Sequence, residues 1–370
     1  MGIRECIRPT TVLLAICIVT GLGSAPSGGS TERQVRAELV FDCGGCAPVA
    51  FTFTPNGKQI FYLERVTGEI HRYTLKGGSD SLWGSVGPVN YLGEGERGGL
   101  GIAVDPKWNQ GKKRKRDRNR WIYVYFTHDE PLENRIVRLR HRLRGDGTIE
   151  QRLETISIGS GSQHNAGTIH FGPDGKLYVM TGDQDEPARS QSTADVAGKV
   201  LRMNPGGRRP DDNPIPGSLA YSFGHRNSFG FAFDPITGNL WQTENGPTCE
   251  DELNLIIPGR NYGWGTGSDC PGTSTEGPDP VQPERTWTPP IVPTGATFCD
   301  GCGLGSEIEG DLLVGFYTRT IRNFTLDAER DDIIDEAVTF DHSGGVVAIQ
   351  SRPNGQIFFS DTSGIYVLTA

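Results

Sequence analysis

The sequence predicts an all-β fold, a six-bladed β-propeller, on three observations. Its 51 glycines and 24 prolines make one residue in five a turn former, a density that repetitive β architectures use and helical proteins rarely tolerate. Six segments repeat one pattern of strand, turn and strand. The turn prolines recur as well: Pro55, Pro106, Pro173 and Pro235 are 51, 67 and 62 residues apart, and Pro353 follows 118 residues later, which is two further steps. This period has the size of a propeller blade.

Each repeated segment is an apolar–polar alternating strand, a turn that usually carries Pro and Gly, and a strand rich in Ile, Val, Phe and Tyr. The six segments are Val49–Leu63, Ile102–Thr127, Thr168–Thr181, Gly230–Thr243, Ser306–Phe316 and Val347–Ser360. A period of two gives a strand one buried face. A further strand follows each copy, at Ile70–Leu75, Arg135–Leu139, Lys199–Met203, Leu253–Ile257, Ile321–Leu326 and Gly364–Leu368. Each copy is therefore predicted to form a small antiparallel sheet.

A propeller ring has to close on itself. The early strand Val35–Phe41 is predicted to complete the last blade beside Gly364–Leu368. The alternative, a pair of β-sandwiches, would need a linker near the middle of the chain, and the sequence has none. We expect no long helices and one propeller domain over residues 31–370.

The first 30 residues have the pattern of a signal peptide followed by a short flexible segment. Arg4 and Arg8 precede the apolar stretch Thr11–Leu22, which is too short for a comfortable membrane span. Small residues follow, so we predict cleavage near Ser24 or Ala25. We therefore expect a secreted or periplasmic protein with no membrane span.

Cysteines bear on both the export and the fold. Cys17 lies in a sequence similar to a lipobox, so a lipid anchor there is an alternative. Cys17 lies within the predicted leader, and six cysteines lie outside it: Cys43, Cys46, Cys249, Cys270, Cys299 and Cys302. An even count in an exported chain indicates disulfides. We expect a Cys249–Cys270 bond and a local bond in each CxxC pair. A shared four-thiolate zinc site is the alternative, less favoured because the two pairs are 253 residues apart.

The net charge of −9 gives the chain no general attraction to nucleic acid. The basic run Lys112–Arg120 is an exception, and we interpret it as a solvated surface loop. A contact with a polyanion is the alternative.

Function in a propeller concentrates in the loops at one face of the ring. In the stretch Gln163–Gln184, His164 lies in a polar loop just before a strand. A neutral imidazole there can take a proton from a hydroxyl group, so His164 is a candidate general base. Asp183 follows the strand pair and could orient the base or a substrate hydroxyl.

Two later loops carry further candidates. In Phe223–Gly230, Arg226 can bind a carboxylate or polarise a carbonyl, and Asn227 adds a donor and an acceptor. The loop Gln242–Trp264 combines a Gly-Pro turn with several carboxylates. Carboxylates beside free backbone carbonyls suit a hard cation such as Ca²⁺. Its acidic residues are Glu244, Glu250, Asp251 and Glu252.

A set of motifs in this order is similar to one family. The segments are GGLGIAVDP, HNAG, GPDGKLYVMTGDQ, GHRN, ENGP, DELNLI and NYGW. Over roughly residues 40–370 the chain resembles the soluble quinoprotein sugar dehydrogenases, the glucose/sorbosone and aldose sugar dehydrogenases. The resemblance implies a six-bladed propeller that uses pyrroloquinoline quinone (PQQ) and Ca²⁺. It also implies that His164 is the catalytic base, that Asp183 supports it, and that Arg226 and Asn227 contact PQQ.

The same resemblance implies two calcium sites. Gly246 and Pro247 match the turn whose carbonyls hold a calcium ion against PQQ. Glu252 and Tyr262 match a further calcium site of some members. In such an enzyme the cofactor supplies the redox chemistry and the protein supplies position and charge.

Three places differ from the family pattern. Glu96 stands where the family usually has Gln, and Thr318 stands where a cofactor-binding Lys is expected. The uncharged stretch Gly344–Ile349 stands where an Arg-x-Arg pair is expected. The candidates to replace these cations are Arg319, Arg322 and Arg352.

The sequence supports three functions. The first is PQQ-dependent oxidation of an aldose or related sugar, with hydride transfer to the quinone and His164 as base. The second is a non-catalytic, calcium-stabilised propeller that binds carbohydrate or protein. The third is a calcium-dependent hydrolase of the lactonase type, in which Glu96 and Glu244 would converge on the channel. We expect a small sugar as the partner, and a monomer or weak homodimer.

Overall fold

The computed structural model describes residues 34–93, 95–110, 119–141, 148–158 and 161–370. The predicted leader, residues 1–30, lies outside them, and so does the predicted basic surface loop except for its last two residues. Both therefore stay predictions. Within the described part, the one helical element is a 3-10 turn at Pro187–Gln191. No described helix is long and apolar enough to cross a membrane.

Six four-stranded antiparallel sheets surround a central channel, which confirms the predicted six-bladed propeller. The first blade comprises β2 (Ala50–Phe53), β3 (Gln59–Leu63), β4 (Glu69–Thr74) and β5 (Leu82–Ser85). The second comprises β6 (Gly99–Val104), β7 (Ile122–His128), β8 (Glu133–His141) and β9 (Thr148–Ser157). The third comprises β10 (Ala166–Phe171), β11 (Leu177–Thr181), β12 (Lys199–Met203) and β13 (Ala220–Phe223).

The remaining blades follow in chain order. The fourth comprises β14 (Gly230–Phe233), β15 (Leu240–Glu244), β16 (Asp251–Ile256) and β17 (Arg285–Trp287). The fifth comprises β18 (Pro293–Phe298), β19 (Leu312–Phe316), β20 (Thr320–Leu326) and β21 (Ile333–Asp341). The sixth comprises β22 (Ala348–Ser351), β23 (Ile357–Ser360), β24 (Gly364–Thr369) and β1 (Arg36–Asp42).

The ring closes as predicted, because the first strand of the chain is the outermost strand of the last blade. β1 pairs antiparallel with β24, from Arg36 opposite Thr369 to Asp42 opposite Gly364. Backbone hydrogen bonds rather than a linker therefore join the two ends of the propeller.

The prediction for the fifth blade was wrong at its first strand. Ser306–Gly310 is a turn, and the inner strand β18 lies earlier, before the Cys299–Cys302 disulfide. The sequence of β18, PTGATF, lacks the alternating large apolar residues that mark the other copies. Its small residues are required by close packing, since a Cβ on Gly295 would lie 2.5 Å from the backbone nitrogen of Ile349 in the next blade. The outermost strands of the first five blades were not predicted either, because most of them are polar or partly exposed.

Neighbouring blades pack face to face through apolar side chains. Phe61 and Trp83 of the first blade, for example, join Ile122 and Phe126 of the second in one buried cluster. Burying a side chain of this size contributes about 1.5–3 kcal/mol. Near the channel the backbones themselves approach closely, and a Cβ on Gly101 would lie 2.0 Å from the carbonyl oxygen of a glycine in β10.

Three disulfides form as predicted, Cys43–Cys46, Cys249–Cys270 and Cys299–Cys302. Because each CxxC pair is bonded within itself, the alternative of a shared four-thiolate zinc site is wrong.

Candidate active site

The predicted site residues surround a cavity of about 540 Å³ at the face where the inner strands begin. All six blades and the loops that lead into them contribute to its wall. The polar and aromatic side chains that line it are Arg65, Glu96, Gln163, His164, Thr168, Arg226, Asn227, Phe229, Asn245, Asp251, Thr294, Tyr317 and Thr362. The cavity has the volume of a small-molecule site.

His164 and Asp183 form the hydrogen-bonded pair that the sequence predicted. The Nδ1 atom of His164 lies 2.7 Å from Oδ1 of Asp183. The Asp183 carboxylate is fully buried, and its second oxygen accepts a hydrogen bond of 2.7 Å from Nε1 of Trp264. A carboxylate on Nδ1 favours the tautomer that carries the proton there, which leaves the lone pair on Nε2. Among the described residues, Nε2 of His164 has no hydrogen-bond partner.

The backbone around this pair is held in an unusual conformation. His164 itself has φ = 54°, in the left-handed region. Its carbonyl accepts hydrogen bonds from the backbone and the side chain of Gln184, at 3.2 and 3.0 Å. Gly182 permits this approach, since a Cβ there would lie 1.9 Å from the carbonyl oxygen of His164. Strained residues of this kind concentrate at functional sites, where their surroundings hold them in place.

Glu96 connects the loops of two blades. One carboxylate oxygen accepts a hydrogen bond of 3.0 Å from the backbone N–H of Asn165, and the other accepts one of 2.9 Å from the side chain of Asn227. Burial raises the pKa of Glu96, and the nearby His164 opposes that rise. The sequence marked this position as a departure from the family pattern and as a candidate carboxylate of a hydrolase, and the structure gives it a role in positioning Asn227.

Arg226 and Asn227 lie together in the cavity wall. The Arg226 guanidinium donates a hydrogen bond of 2.7 Å to the carbonyl oxygen of Asn245 and lies 5.3 Å above the ring of Trp264. Burial lowers the pKa of Arg226, and the carboxylates around it, led by Asp183, oppose that effect. Nε of Arg226 and Oδ1 of Asn227 are buried and have no hydrogen-bond partner among the residues that the structure describes. A buried polar atom left unpaired costs about 1–3 kcal/mol, so these atoms favour a polar ligand.

The replacement cations suggested by the sequence are wrong. Arg322 pairs with Glu336 at 2.6 Å, Arg352 donates to a backbone carbonyl in the first blade, and Arg319 does not line the cavity. Among the described residues of the lining, the cations are Arg226 and Arg65. The sequence reasoning missed Arg65, which donates to the carbonyl oxygens of Arg97 and Gly95.

The fifth blade presents Tyr317 to the cavity rather than Thr318. The Thr318 hydroxyl donates to the carbonyl oxygen of Ile291 at 2.9 Å. The position expected to hold a cofactor-binding Lys is therefore occupied by a side chain bound to the loop that precedes β18.

Four residues were expected to hold calcium, and the structure divides them. Gly246 and Pro247 line the cavity beside Asp251, which accepts a hydrogen bond of 2.9 Å from the Gly246 backbone. Glu252 lines a small adjoining pocket instead. Tyr262 lines neither, because its hydroxyl donates to a backbone carbonyl and accepts from another N–H, and its ring stacks on His225.

The small pocket brings two buried carboxylates together. Burial, with the added repulsion of Glu244, raises the pKa of Glu252 to about 8. The oxygens of Glu244 accept hydrogen bonds from His225, from Gln242 and from the backbone of Arg226. Glu244 therefore does not converge with Glu96 on the main cavity, which removes the structural basis of the hydrolase hypothesis.

Comparison with known proteins identifies relatives of the whole propeller. The family model described as Glucose / Sorbosone dehydrogenase matches residues 46–366. Quinoprotein glucose dehydrogenase B of Acinetobacter calcoaceticus is 32% identical over 247 residues, 59% of this chain and 50% of that protein. Aldose sugar dehydrogenase YliI of Escherichia coli is 34% identical over 261 residues, 67% of this chain and 65% of that protein. The chain thus spans between half and about two thirds of the length of these two relatives.

A solved structure agrees with the fold. The PQQ-bound aldose sugar dehydrogenase of Streptomyces coelicolor superimposes with a TM-score of 0.74 at 26% identity, covering 90% of this chain and 98% of that one.

Proposed function

Because the chain belongs to the glucose/sorbosone dehydrogenase family, we propose that it is a PQQ-dependent dehydrogenase that oxidises an aldose or a related sugar. The observation that carries the proposal is the buried His164–Asp183 pair, which faces a cavity that also holds Arg226 and Asn227. A carbohydrate-binding protein has no evident use for an imidazole held in one tautomer by a buried carboxylate.

The residues of the cavity fit the cofactor. Its volume suits a small planar ligand, and the unpartnered Nε of Arg226, a donor, suits an oxygen atom of a quinone carboxylate. Arg65 would supply a second positive charge. When bound, PQQ supplies the redox chemistry, since it accepts a hydride ion, which carries two electrons, from the sugar carbon.

The proton chemistry belongs to His164. Its Nε2 lone pair would remove the proton of the sugar hydroxyl as the hydride leaves the carbon that bears this hydroxyl. The Asp183 carboxylate, 2.7 Å from Nδ1, would stabilise the imidazolium that results. Trp264 would keep that carboxylate in place through its own hydrogen bond.

Calcium would occupy two places. Gly246 and Pro247 would hold one ion at the cavity wall with their carbonyl oxygens, near the carboxylate of Asp251. Glu252 would hold the other, and Tyr262 would contribute its main-chain carbonyl because its hydroxyl is already bonded. Two buried carboxylates that face each other are a setting that a divalent cation stabilises.

The leader supports export of the protein to the periplasm or the cell exterior, and three disulfides agree with an oxidising compartment. A lipid anchor at Cys17 and a monomeric or weakly dimeric state stay proposals.

The test of the activity combines turnover and binding. The full chain, loaded with PQQ and Ca²⁺, is expected to reduce an artificial electron acceptor when given aldoses. His164→Ala should abolish turnover but keep PQQ binding in calorimetry, whereas Arg226→Ala should weaken PQQ binding itself. His141→Gln, at a surface histidine remote from the cavity, is the matched control. If no aldose is oxidised and no PQQ binds, the proposal is wrong.

The second candidate is a non-catalytic propeller that binds carbohydrate or protein. The uncharged stretch at residues 344–349 favours it, because the expected Arg pair is absent there and Arg65 lies on a different blade. Sugar binding by calorimetry in the absence of PQQ, with no turnover in its presence, would support this candidate over the first.

A further inference from the structure

A histidine on the first blade is surrounded by carboxylates, outside the active-site cavity. Nε2 of His71 lies 3.5 Å from Oε1 of Glu64 and 3.4 Å from Oε2 of Glu69. These two glutamates stand at the two ends of the tight turn between β3 and β4, which the backbone bond from Glu64 N–H to the Glu69 carbonyl closes at 2.9 Å. A third carboxylate, Asp80, approaches the other ring nitrogen.

The third carboxylate fixes the orientation of the imidazole. Oδ2 of Asp80 lies 3.0 Å from Nδ1 of His71 and accepts a further hydrogen bond of 2.9 Å from the Tyr62 hydroxyl. The Tyr62 ring stacks on the imidazole with centroids 4.9 Å apart. Asp80 thus favours a proton on Nδ1, and the lone pair of Nε2 then faces two negatively charged oxygens. That arrangement is repulsive unless a positive species lies between them.

Three carboxylates surround His71. Within the described part of the chain, no Lys or Arg lies within ion-pair distance of Glu64, Glu69 or Asp80. The local excess of negative charge therefore favours a divalent cation.

We propose that His71, Glu64 and Glu69 bind a divalent transition-metal ion of the Zn²⁺ class. Zn–N and Zn–O bonds of about 2.0–2.2 Å place the ligand atoms of a tetrahedron about 3.3–3.6 Å apart, and the two distances from Nε2 are 3.4 and 3.5 Å. An imidazole ligand selects Zn²⁺, Cu²⁺ or Ni²⁺ over the oxygen-preferring Ca²⁺.

The surroundings match those of a metal-binding histidine. Such a histidine commonly donates its other ring N–H to a carboxylate, which fixes the ring and raises its basicity. Asp80 occupies that place. A cavity of about 390 Å³, lined by Glu64, His71 and Asp80, opens beside the cluster and leaves room for a water molecule at the fourth coordination position. The ion would link the two ends of the β3–β4 turn to His71 in β4.

The test is a titration of the full chain with Zn²⁺ as the only transition metal. Excess Ca²⁺ is present throughout so that oxygen-rich sites are already filled. The wild type is expected to bind Zn²⁺ at this site, and Co²⁺ in its place should show the visible absorption of a four-coordinate ion. His71→Gln and Glu64→Gln should each weaken this binding event at least tenfold. Asp80→Asn should weaken it about 10–100-fold, as the loss of a partner behind a metal ligand does.

The matched control is His342→Gln, since among the described residues Nε2 of His342 contacts a single carboxylate, Asp361 at 2.9 Å. It should leave the Zn²⁺ titration unchanged. If the wild type binds no Zn²⁺ at this site, the proposal is wrong. It would also be wrong if His71→Gln bound as the wild type does. Should His71→Gln fail to fold, Glu64→Gln decides the question.

Discussion

Replacing Asp183 by Asn tests the central pair of the site with the least change of shape. The carboxylate of Asp183 accepts three hydrogen bonds, from Nδ1 of His164, from Nε1 of Trp264 and from the backbone N–H of Asp185. An Asn side chain has one acceptor oxygen and an NH₂ group, so at least one of these donors must face another donor. If the oxygen turns toward Trp264, the NH₂ group faces His164. The imidazole proton of His164 then moves from Nδ1 to Nε2.

Both orientations of the amide impair proton removal. One places the proton on the nitrogen that should act as the base. The other keeps the tautomer but removes the negative charge that stabilises the imidazolium, which is worth about 1.5–3 kcal/mol for a hydrogen bond to a charged group. Since about 1.4 kcal/mol corresponds to a factor of ten in rate, we expect kcat to fall by about 10–10⁴, the upper value being that of the equivalent change in a Ser-His-Asp triad.

The measurement is kcat and KM for an aldose at saturating PQQ and Ca²⁺, with PQQ affinity determined separately by calorimetry. The affinity should hardly change, because Asp183 is buried behind His164 and does not line the cavity. Trp264→Phe is the matched variant. It removes one donor to the carboxylate but keeps a ring beneath Arg226, and its kcat should stay within about tenfold of wild type. A fall of less than about threefold in Asp183→Asn would refute the assignment of His164 as the base.

Three further predictions concern stability. Gly101→Ala should destabilise the fold by about 3 kcal/mol or more in urea unfolding, because its Cβ would meet a backbone oxygen at 2.0 Å. Gly206→Ala, with nothing within 4 Å, should change it by less than about 0.5 kcal/mol, and equal effects would contradict the packing argument. Replacing both Cys249 and Cys270 by Ser opens a loop with a sequence separation of 21 and should cost about 3 kcal/mol; an unchanged urea midpoint would contradict this. Burial raises the pKa of Glu96 above 4.5 in the folded state. The folded protein therefore binds the proton of the Glu96 carboxyl group more tightly than the unfolded chain does. Cofactor-free wild type should consequently lose stability as the pH rises above 4.5. Glu96→Gln should lose less across that range, and identical profiles of Tm against pH would contradict it.

The fold could be predicted because the inner parts of most blades carry strong local signals. A Pro-Asn-Gly or Pro-Asp-Gly turn between two alternating strands is a local pattern, and its period gave the number of blades. The signal failed at β18, where contact with the next blade requires Gly295 and other small residues instead of large apolar ones. It also failed for the outermost strands of the first five blades, such as β21, whose mixed polar sequence is held by pairing with β20 rather than by burial.

The site was predicted in part because its motifs are contiguous in sequence. His164 and Asp183 lie on either side of one strand pair, so a short loop geometry brings them together. Glu96 and Arg65 come from other blades, and only the ring places them near that pair. Their contribution depends on tertiary contacts, such as the hydrogen bond between Glu96 and Asn227, that no local pattern encodes.

One rule of blade geometry would have found most of the missed residues. The second strand of every blade ends at the face where the inner strands begin, so the one or two residues after it are directed to the cavity. Those positions are Arg65, Asp183, Asn245, Tyr317 and Thr362 in five of the six blades. All of them except Asp183 line the cavity, and Asp183 contacts His164 directly.

The same rule explains where the positive charge of the cavity lies. The fifth and sixth blades offer Tyr317 and Thr362, which are neutral, whereas the first blade offers Arg65. The second cation, Arg226, precedes the fourth blade. Arg65 donates a hydrogen bond to the carbonyl oxygen of Gly95, and the next residue, Glu96, accepts one from Asn227, the neighbour of Arg226. A ligand with several carboxylates would therefore find two cations in the cavity wall, Arg65 and Arg226, although the stretch 344–349 carries no charge.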